Sequence, residues 1–380
     1  MNKDPSAMTR PLLSALEIVT GDLDQICDHA ATELRMMSGS KLLVVGGGGF
    51  LGHYLVQSVL HWNRTRTVDP ISLVVWDNWS RGVPNWLDPL RSDPNLQLTT
   101  VDITEPLPSD MPDVDWIIHA ASIASPVFYR QFPIATMDAN VSGLRSLLEH
   151  SRVRSQSGIP LRGFLFYSTS EIYGDPTPEN IPTPETYRGN VSCTGPRACY
   201  DESKRYGETL CSAFSQVHDL HVTVARPFNN YGPGLKISDR RVISDFARDI
   251  YAGRDIAMLS TGSPTRTFCY ITDAIAGYFK VLVRGRSGEA YNIGTEAPEI
   301  SIAELAERMV AVARRHLDYT GRVIRADSDD PAYLTDNPNR RRPVIAKARH
   351  ELGYEPVVSL DDGLFRSLLW YRENQIAEDR

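Results

Sequence analysis

The stretch Leu42-Leu43-Val44-Val45-Gly46-Gly47-Gly48-Gly49-Phe50-Leu51-Gly52 decides the fold of this chain. A short apolar run, strand-like in length, enters a glycine cluster, and Leu55, Val56 and Leu60 follow at helical spacing. Gly46, Gly49 and Gly52 are spaced G-x-x-G-x-x-G. With no side chains there, the backbone can turn tightly and approach a pyrophosphate, whose charge the start of the helix stabilises. A glycine run alone is more often a plain loop. Set between a strand and a helix it reads as a dinucleotide site, with Phe50 and Leu51 opening the helix.

The same pattern repeats along the chain. Apolar runs at residues 73–76, 98–101, 116–118, 164–167 and 222–225 end at Asp77, Asp102, His119-Ala120-Ala121, Ser168 and Arg226. Continuous apolar strands separated by helical stretches predict an α/β, Rossmann-type doubly wound parallel sheet covered on both faces. Ligands of such sheets sit beyond the carboxyl ends of the strands. Asp77, with Asn78 beside it, stands where an acidic residue binds the ribose hydroxyls of NAD, and its charge would repel a 2′-phosphate. A turn-capping role suits Asp77 and Asn78 as well. Asp102, Ile103 and Ala120 complete the expected cofactor edge.

Around this half the chain changes character. Leu12, Leu13, Leu16, Val19, Leu23 and Ile26 recur at roughly helical spacing, interrupted by Thr20-Gly21-Asp22. Residues 1–40 therefore read as one or two short amphipathic helices that pack or contact a second copy without chemistry. Residues 41–226 are expected to form the NAD-binding domain, rejoined by 267–290. Residues 227–380, richer in Pro and Arg, are expected to be mainly a smaller substrate-binding lobe.

Composition narrows the function. The chain has 380 residues and a net charge of −7, which argues against a nucleic-acid surface. Arg340-Arg341-Arg342 is still basic enough to hold a small phosphate. Five cysteines without a C-x-x-C pair suit a reducing compartment better than a disulfide framework or a zinc site. No apolar run is long enough to span a bilayer, and the first residues lack the order of a signal peptide. The expectation is a cytoplasmic protein with no metal and no membrane partner.

Chemistry concentrates in two segments. In Tyr200-Asp201-Glu202-Ser203-Lys204 the phenol and the amine lie four apart, one above the other on a helix. A cation so placed lowers a phenol's pKa, and an acidic phenol is a usable base toward an alcohol. By chance alone, an exposed helix carries such a pair often. The second segment, Ser168-Thr169-Ser170-Glu171-Ile172-Tyr173-Gly174, follows the fifth strand with hydroxyls and one carboxylate. Thr169 can hydrogen-bond a substrate alcohol, and Glu171 can serve as acid, base or orienting group. Strand ends rich in Ser and Thr are usually turn chemistry, but here the segment coincides with a glycine loop, Asp77 and Tyr200/Lys204.

From Lys41 onward the chain resembles the extended short-chain dehydrogenase/reductases. Asp115-Trp116-Ile117-Ile118-His119-Ala120-Ala121 matches that superfamily's fourth-strand motif, and Asn140-Val141-Ser142-Gly143 the helix after it. Within it the chain is most similar to UDP-glucuronate decarboxylases, also called UDP-xylose synthases. The carrying segments are Ala124-Ser125-Pro126-Val127-Phe128-Tyr129, residues 168–176, residues 195–205, residues 239–246, Thr265-Arg266-Thr267-Phe268 and Arg340-Arg341-Arg342-Pro343.

The resemblance implies NAD as cofactor, with Thr169, Ser170, Glu171, Tyr200 and Lys204 at the reacting centre. It also implies that Tyr129, Asn229, Arg241, Arg266 and Arg341 hold a UDP-sugar, and that the protein is a homodimer built through a helix bundle. The implied chemistry is oxidation at C4, loss of the C5 carboxylate as carbon dioxide, and reduction back to UDP-xylose. The related 4,6-dehydratases carry Asp where this chain has Ser170, and a serine is a poor proton donor to a leaving hydroxyl. A dehydratase or epimerase, and a non-catalytic nucleotide-sugar-binding protein, are the competing expectations. Ser203, Arg240 and Ser192-Cys193-Thr194 depart from the decarboxylase pattern, which has Gly, Gly and Asn-Pro-Ile there.

Overall fold

The computed structural model of the chain describes residues 13–328 and 335–374. Leu12, one of the expected apolar positions, lies outside them. Two helices come first, α1 (Ala15–His29) and α2 (Ala31–Met37). Seven strands then build one sheet: β1 (Lys41–Val45), β2 (Ser72–Asp77), β3 (Leu96–Thr100), β4 (Trp116–His119), β5 (Gly163–Tyr167), β6 (Val222–Pro227) and β7 (Ala290–Ile293). Their order is β3-β2-β1-β4-β5-β6-β7 and every pairing is parallel. The order reverses between β1 and β4, which opens the crevice where such sheets bind ligands. Val45 is level with Trp76 and His119, so the glycine loop, Asp77 and Ala120 emerge at one edge.

Side chains alternate across the sheet and divide the core in two. Leu42 and Val44 pack with α3 (Phe50–Thr65), while Leu43 and Val45 face the opposite layer. A short helical run, α4 (Pro126–Gln131) and α5 (Pro133–Asp138), leads through a π-helical turn at Ala139–Gly143 into α6 (Leu144–Gln156). With α7 (Ala198–His218), α6 covers the second face through Leu147, Leu148, Leu210 and Phe214.

The remaining helices are α8 (Val242–Tyr251), α9 (Ile271–Arg284), α10 (Ile302–His316), α11 (Ala346–Leu352) and α12 (Leu360–Asn374). α9 joins α3 on the first face, and β7 extends the sheet just past the 267–290 stretch expected to return to it. The Ala290-Tyr291-Asn292-Ile293 run escaped notice because Asn292 interrupts its apolar pattern; the residue is fully buried and bonds Thr183 and Val344 carbonyls. In the carboxyl-terminal half, Thr265–Arg266 pairs with both Ile300–Ser301 and Arg340–Arg341. That ribbon sets Arg266 level with Arg341.

Two sequence expectations need correction. The third strand runs Leu96–Thr100 and not 98–101, so Asp102 stands two residues beyond it. The amino-terminal helix is not broken at Thr20-Gly21-Asp22; α1 runs through, and the break falls at Ala30. Gly21 faces open space, and Asp22 is drawn inward by bonds from the phenols of Tyr54 (2.5 Å) and Tyr270 (2.7 Å) and from Arg366 (2.9 Å). A capping box of Ser14 and Glu17 starts the helix, and Ile26, Cys27, Leu34 and Met37 are fully buried. No helix among the described residues is long and apolar enough to cross a membrane.

Candidate active site

The glycine loop is shaped by what it must pass. Gly46 has φ +88°, and a Cβ there would lie 2.5 Å from the backbone nitrogen of Ala121, so only glycine fits. A Cβ on Gly52 would strike the Gly47 carbonyl, which lets α3 start directly against the loop. Gly49 is the N-cap of α3, with no side chain capping the first turn formed by Phe50, Leu51 and Gly52. Amide groups at such an end are left to bind an anion. Asp77 lies under the loop and accepts from the backbone N–H of Gly48 and of Trp79, both at 2.8 Å. Asn78 reaches Asp102 at 3.1 Å, so the two residues after neighbouring strands form one polar rim. Ile103 instead turns its side chain into the core against Gly143. The uncapped turn and the carboxylate below it fit the pyrophosphate and ribose of NAD.

Across the crevice, β5 delivers Thr169, Ser170 and Glu171, and α7 delivers Tyr200 and Lys204. All five are at least half-buried or deeper. Thr169 caps the turn Ser170–Tyr173 by accepting from Glu171 N–H at 3.2 Å, and its hydroxyl lies close enough to the Tyr200 phenol to lower that phenol's pKa. Tyr129 lies stacked on Tyr200, ring centroids 5.0 Å apart and planes 6° off parallel. Lys204 donates to the Tyr167 carbonyl at 2.7 Å and stands 5.9 Å from the centre of the Tyr200 ring.

The expectation that Lys204 makes the phenol acidic is corrected by these surroundings. Burial pushes Tyr200 up to about 12, offset in part by the Thr169 hydrogen bond and by Arg241. Burial likewise pulls Lys204 down to about 7. Desolvation is the largest influence on both groups.

Glu171 has a narrower role than its sequence allowed. Arg341 Nη2 donates to its Oε2 at 2.5 Å and Arg197 Nη2 meets the same oxygen at 2.6 Å. Burial raises its pKa, but these two guanidiniums more than offset that and hold the carboxyl at about 2. The two guanidiniums thus favour the ionised form of Glu171. Arg341 also reaches Asn229 at 3.3 Å, and Asn229 is fixed by the Thr267 carbonyl. Arg241 pairs with Asp239 at 3.2 Å and stands over the Phe50 ring. Arg266, by contrast, spends both terminal nitrogens on Thr265, Asn337, Pro338 and Asn339, and holds that loop together.

Residues 42–294 match the family model described as the NAD dependent epimerase/dehydratase family. UDP-glucuronic acid decarboxylase 5 of Arabidopsis thaliana is 35% identical over 328 residues, 86% of this chain and 88% of that protein. UDP-glucuronic acid decarboxylase 1 of Danio rerio is 34% identical, over 87% of this chain and 72% of the relative. This chain belongs to that NAD dependent family, in its UDP-glucuronic acid decarboxylase branch. A solved dTDP-glucose 4,6-dehydratase from Streptomyces venezuelae, crystallised with NAD, is 26% identical, covers 89% of this chain and 98% of its own, and aligns with a TM-score of 0.75.

Two departures from the family pattern now have local reasons. Ser203 accepts from Asn140 at 2.9 Å and donates to the Tyr200 carbonyl at 3.0 Å, tying the π-helical turn to α7. Arg240 adopts φ +66°, a conformation that suits glycine, and ends the turn that presents Arg241. Arg197 was missed by the sequence reading. The available signal was its place in the 195–205 segment, one helical turn ahead of Tyr200.

Proposed function

We propose that this chain decarboxylates UDP-glucuronate to UDP-xylose through a 4-keto sugar, with NAD regenerated in each turnover. The observation that carries the reading is the convergence of Thr169 on Tyr200 beside an arginine-bound Glu171, with serine and not an acid at position 170. When bound, NAD supplies the acceptor for the C4 hydrogen, a positive charge, and the donor that restores that hydrogen. Tyr200 takes the proton of the C4 hydroxyl, and the Thr169 hydroxyl holds that oxygen and lowers the phenol's proton affinity. Lys204, anchored on the Tyr167 carbonyl, stands beside the phenol's ring and holds that side of the site in place. The C4 ketone lies β to the C5 carboxylate, so the bond from C5 to the carboxyl carbon breaks and its electron pair enters the enolate. A proton added at C5 and reduction at C4 complete UDP-xylose. Ser170 offers no acid to a departing C6 hydroxyl, which disfavours dehydration.

The same proposal takes residues 41–226 with 267–290 as the cofactor half and 227–380 as mainly the substrate lobe. Tyr129, Asn229, Arg241 and Arg341 are its sugar-nucleotide contacts, with Arg266 supporting the loop beside them. It also takes the protein as a cytoplasmic homodimer. Val153 on α6 and Tyr206 and Val217 on α7 are half-exposed or more, which supports an interface on those helices. Incubation with UDP-glucuronate and NAD should release carbon dioxide and a UDP-pentose in equal amounts. A 4-keto-6-deoxy sugar, an epimer or untouched substrate would count against it.

A further inference from the structure

One ion-paired node, outside the reacting centre, joins the loop expected to hold the cofactor to the turn that presents Arg241. Asp239 closes the short turn Ile237–Asp239 and is 3% exposed. Arg81, from the loop that Asp77 and Asn78 open, donates through Nη1 to Asp239 Oδ2 at 3.1 Å. Arg241 Nε stands 3.2 Å from the other carboxylate oxygen, Oδ1. The same two segments meet again through Lys236, whose Nζ donates to the Arg81 carbonyl at 2.9 Å. Ser125, beyond β4, adds a bond from its hydroxyl to the Asp239 carbonyl at 2.8 Å. The Arg81 guanidinium also lies 4.8 Å from the centre of the Phe128 ring.

Both segments hold a residue in a backbone conformation that favours glycine: Trp79 has φ +55° and Arg240 φ +66°. Such residues persist only where their surroundings hold them. Trp79 is held by its backbone N–H on Asp77 and by its indole N–H on Thr100 at 2.9 Å. Arg240 lies between the two residues of the Asp239–Arg241 pair. A buried carboxylate is stable only while its cations stay in place. With Arg81 present, Asp239 fixes the Nε edge of Arg241, and no hydrogen bond among the described residues takes the terminal nitrogens. Without Arg81, the same carboxylate would be left with Arg241 as its cation and would draw that fork toward itself. Arg241 also stands over the ring of Phe50, the first residue of the helix behind the glycine loop.

We propose that Arg81 is a positioning residue that fastens the Arg241 turn to the cofactor loop, so that NAD and the UDP-sugar each bind more tightly when the other is present. NAD engages the loop at Asp77 and Asn78, just ahead of Arg81, and steadies it. Asp239 then holds Arg241 in place before the sugar nucleotide arrives. A ligand on Arg241 steadies the same loop in return, because coupling between two sites is reciprocal. The shared segment is ordered once for both ligands. This inference rests on the reading of Arg241 as a sugar-nucleotide contact.

The test measures the coupling itself, with UDP-xylose as the probe. NAD affinity of the full chain is determined by equilibrium dialysis, with and without saturating UDP-xylose, for wild type, Arg81→Met and Arg81→Lys. In wild type UDP-xylose should tighten NAD by about 5–20-fold. Arg81→Met should bring that factor close to one while both ligands still bind, and Arg81→Lys, which keeps a cation beside Asp239, should retain part of it. A wild-type factor near one would overturn the inference. So would Arg81→Met weakening each ligand with the factor unchanged, because that is the mark of a purely structural side chain. Titration of UDP-xylose into the NAD-loaded wild type and Arg241→Met separates the two claims. Binding that Arg241→Met weakens, with no coupling in wild type, removes this inference alone. Binding that Arg241→Met leaves unchanged removes Arg241 as a contact, and this inference with it.

Discussion

Lys204 has its amine inside the protein, facing the Tyr167 carbonyl on one side and the rings of Phe166 and Tyr200 on others. Its pKa of about 7 in the folded chain lies well below the usual 10.5, with burial as the main cause. The unfolded chain therefore binds more protons between these values. The folding penalty of Lys204 is complete below pH 7 and fades as pH rises toward 10.5. Lys204→Met should accordingly stabilise the ligand-free chain by about 2 kcal/mol at pH 6, with a smaller gain at pH 9, in denaturant titrations. A gain that does not depend on pH would show that the amine is not held this way. Tyr200→Phe keeps the ring stack with Tyr129 and removes only the base. It should retain NAD through gel filtration and lose about 10³-fold in turnover; an unimpaired rate would dismiss Tyr200 as the base. The identities of Tyr200 and Lys204 were legible from their spacing. Their proton affinities were not, because desolvation depends on the layers that close over them.

At the scale of elements, the strands with wholly or mostly apolar runs could be read directly: β1, β2, β4, β5 and β6. β7 could not, because the polarity of Asn292 makes sense only beside the Thr183 and Val344 carbonyls. α1 shows the opposite error, since Thr20-Gly21-Asp22 has the composition of a turn. Asp22 is helical because Tyr54 of α3, Tyr270 ahead of α9 and Arg366 of α12 converge on its carboxylate. Glu33 of α2 is likewise buried, beside Arg284 at 3.2 Å. The amino-terminal helices are thus fastened to the helix that carries the glycine loop. Asp22→Ala leaves Arg366 without that carboxylate and two buried phenols without acceptors. It should cost about 3–5 kcal/mol in equilibrium unfolding. A loss under about 1 kcal/mol would mean that the cluster does not hold α1 in place.

Over the whole molecule, the reacting centre joins residues far apart in the chain. Glu171 and Arg341 are 170 positions apart, and they meet because a ribbon of two-residue strands sets Arg341 beside Arg266. Pairs that short carry almost no local signal. Arg341 could be named from its resemblance to a family, but its partner could not be derived from pattern. The same long reach explains why Arg266, expected on the substrate, is instead spent on residues 337–339. The central claim is that one closed cycle at C4, run by Tyr200 and Thr169, drives loss of the carboxylate at C5. UDP-glucuronate carrying deuterium at C4 tests this most directly, with the product isolated and its label located. The account predicts UDP-xylose with the deuterium still at C4, solvent hydrogen at C5 and one carbon dioxide released. Deuterium lost to solvent, or a product that keeps its carboxylate, would contradict it.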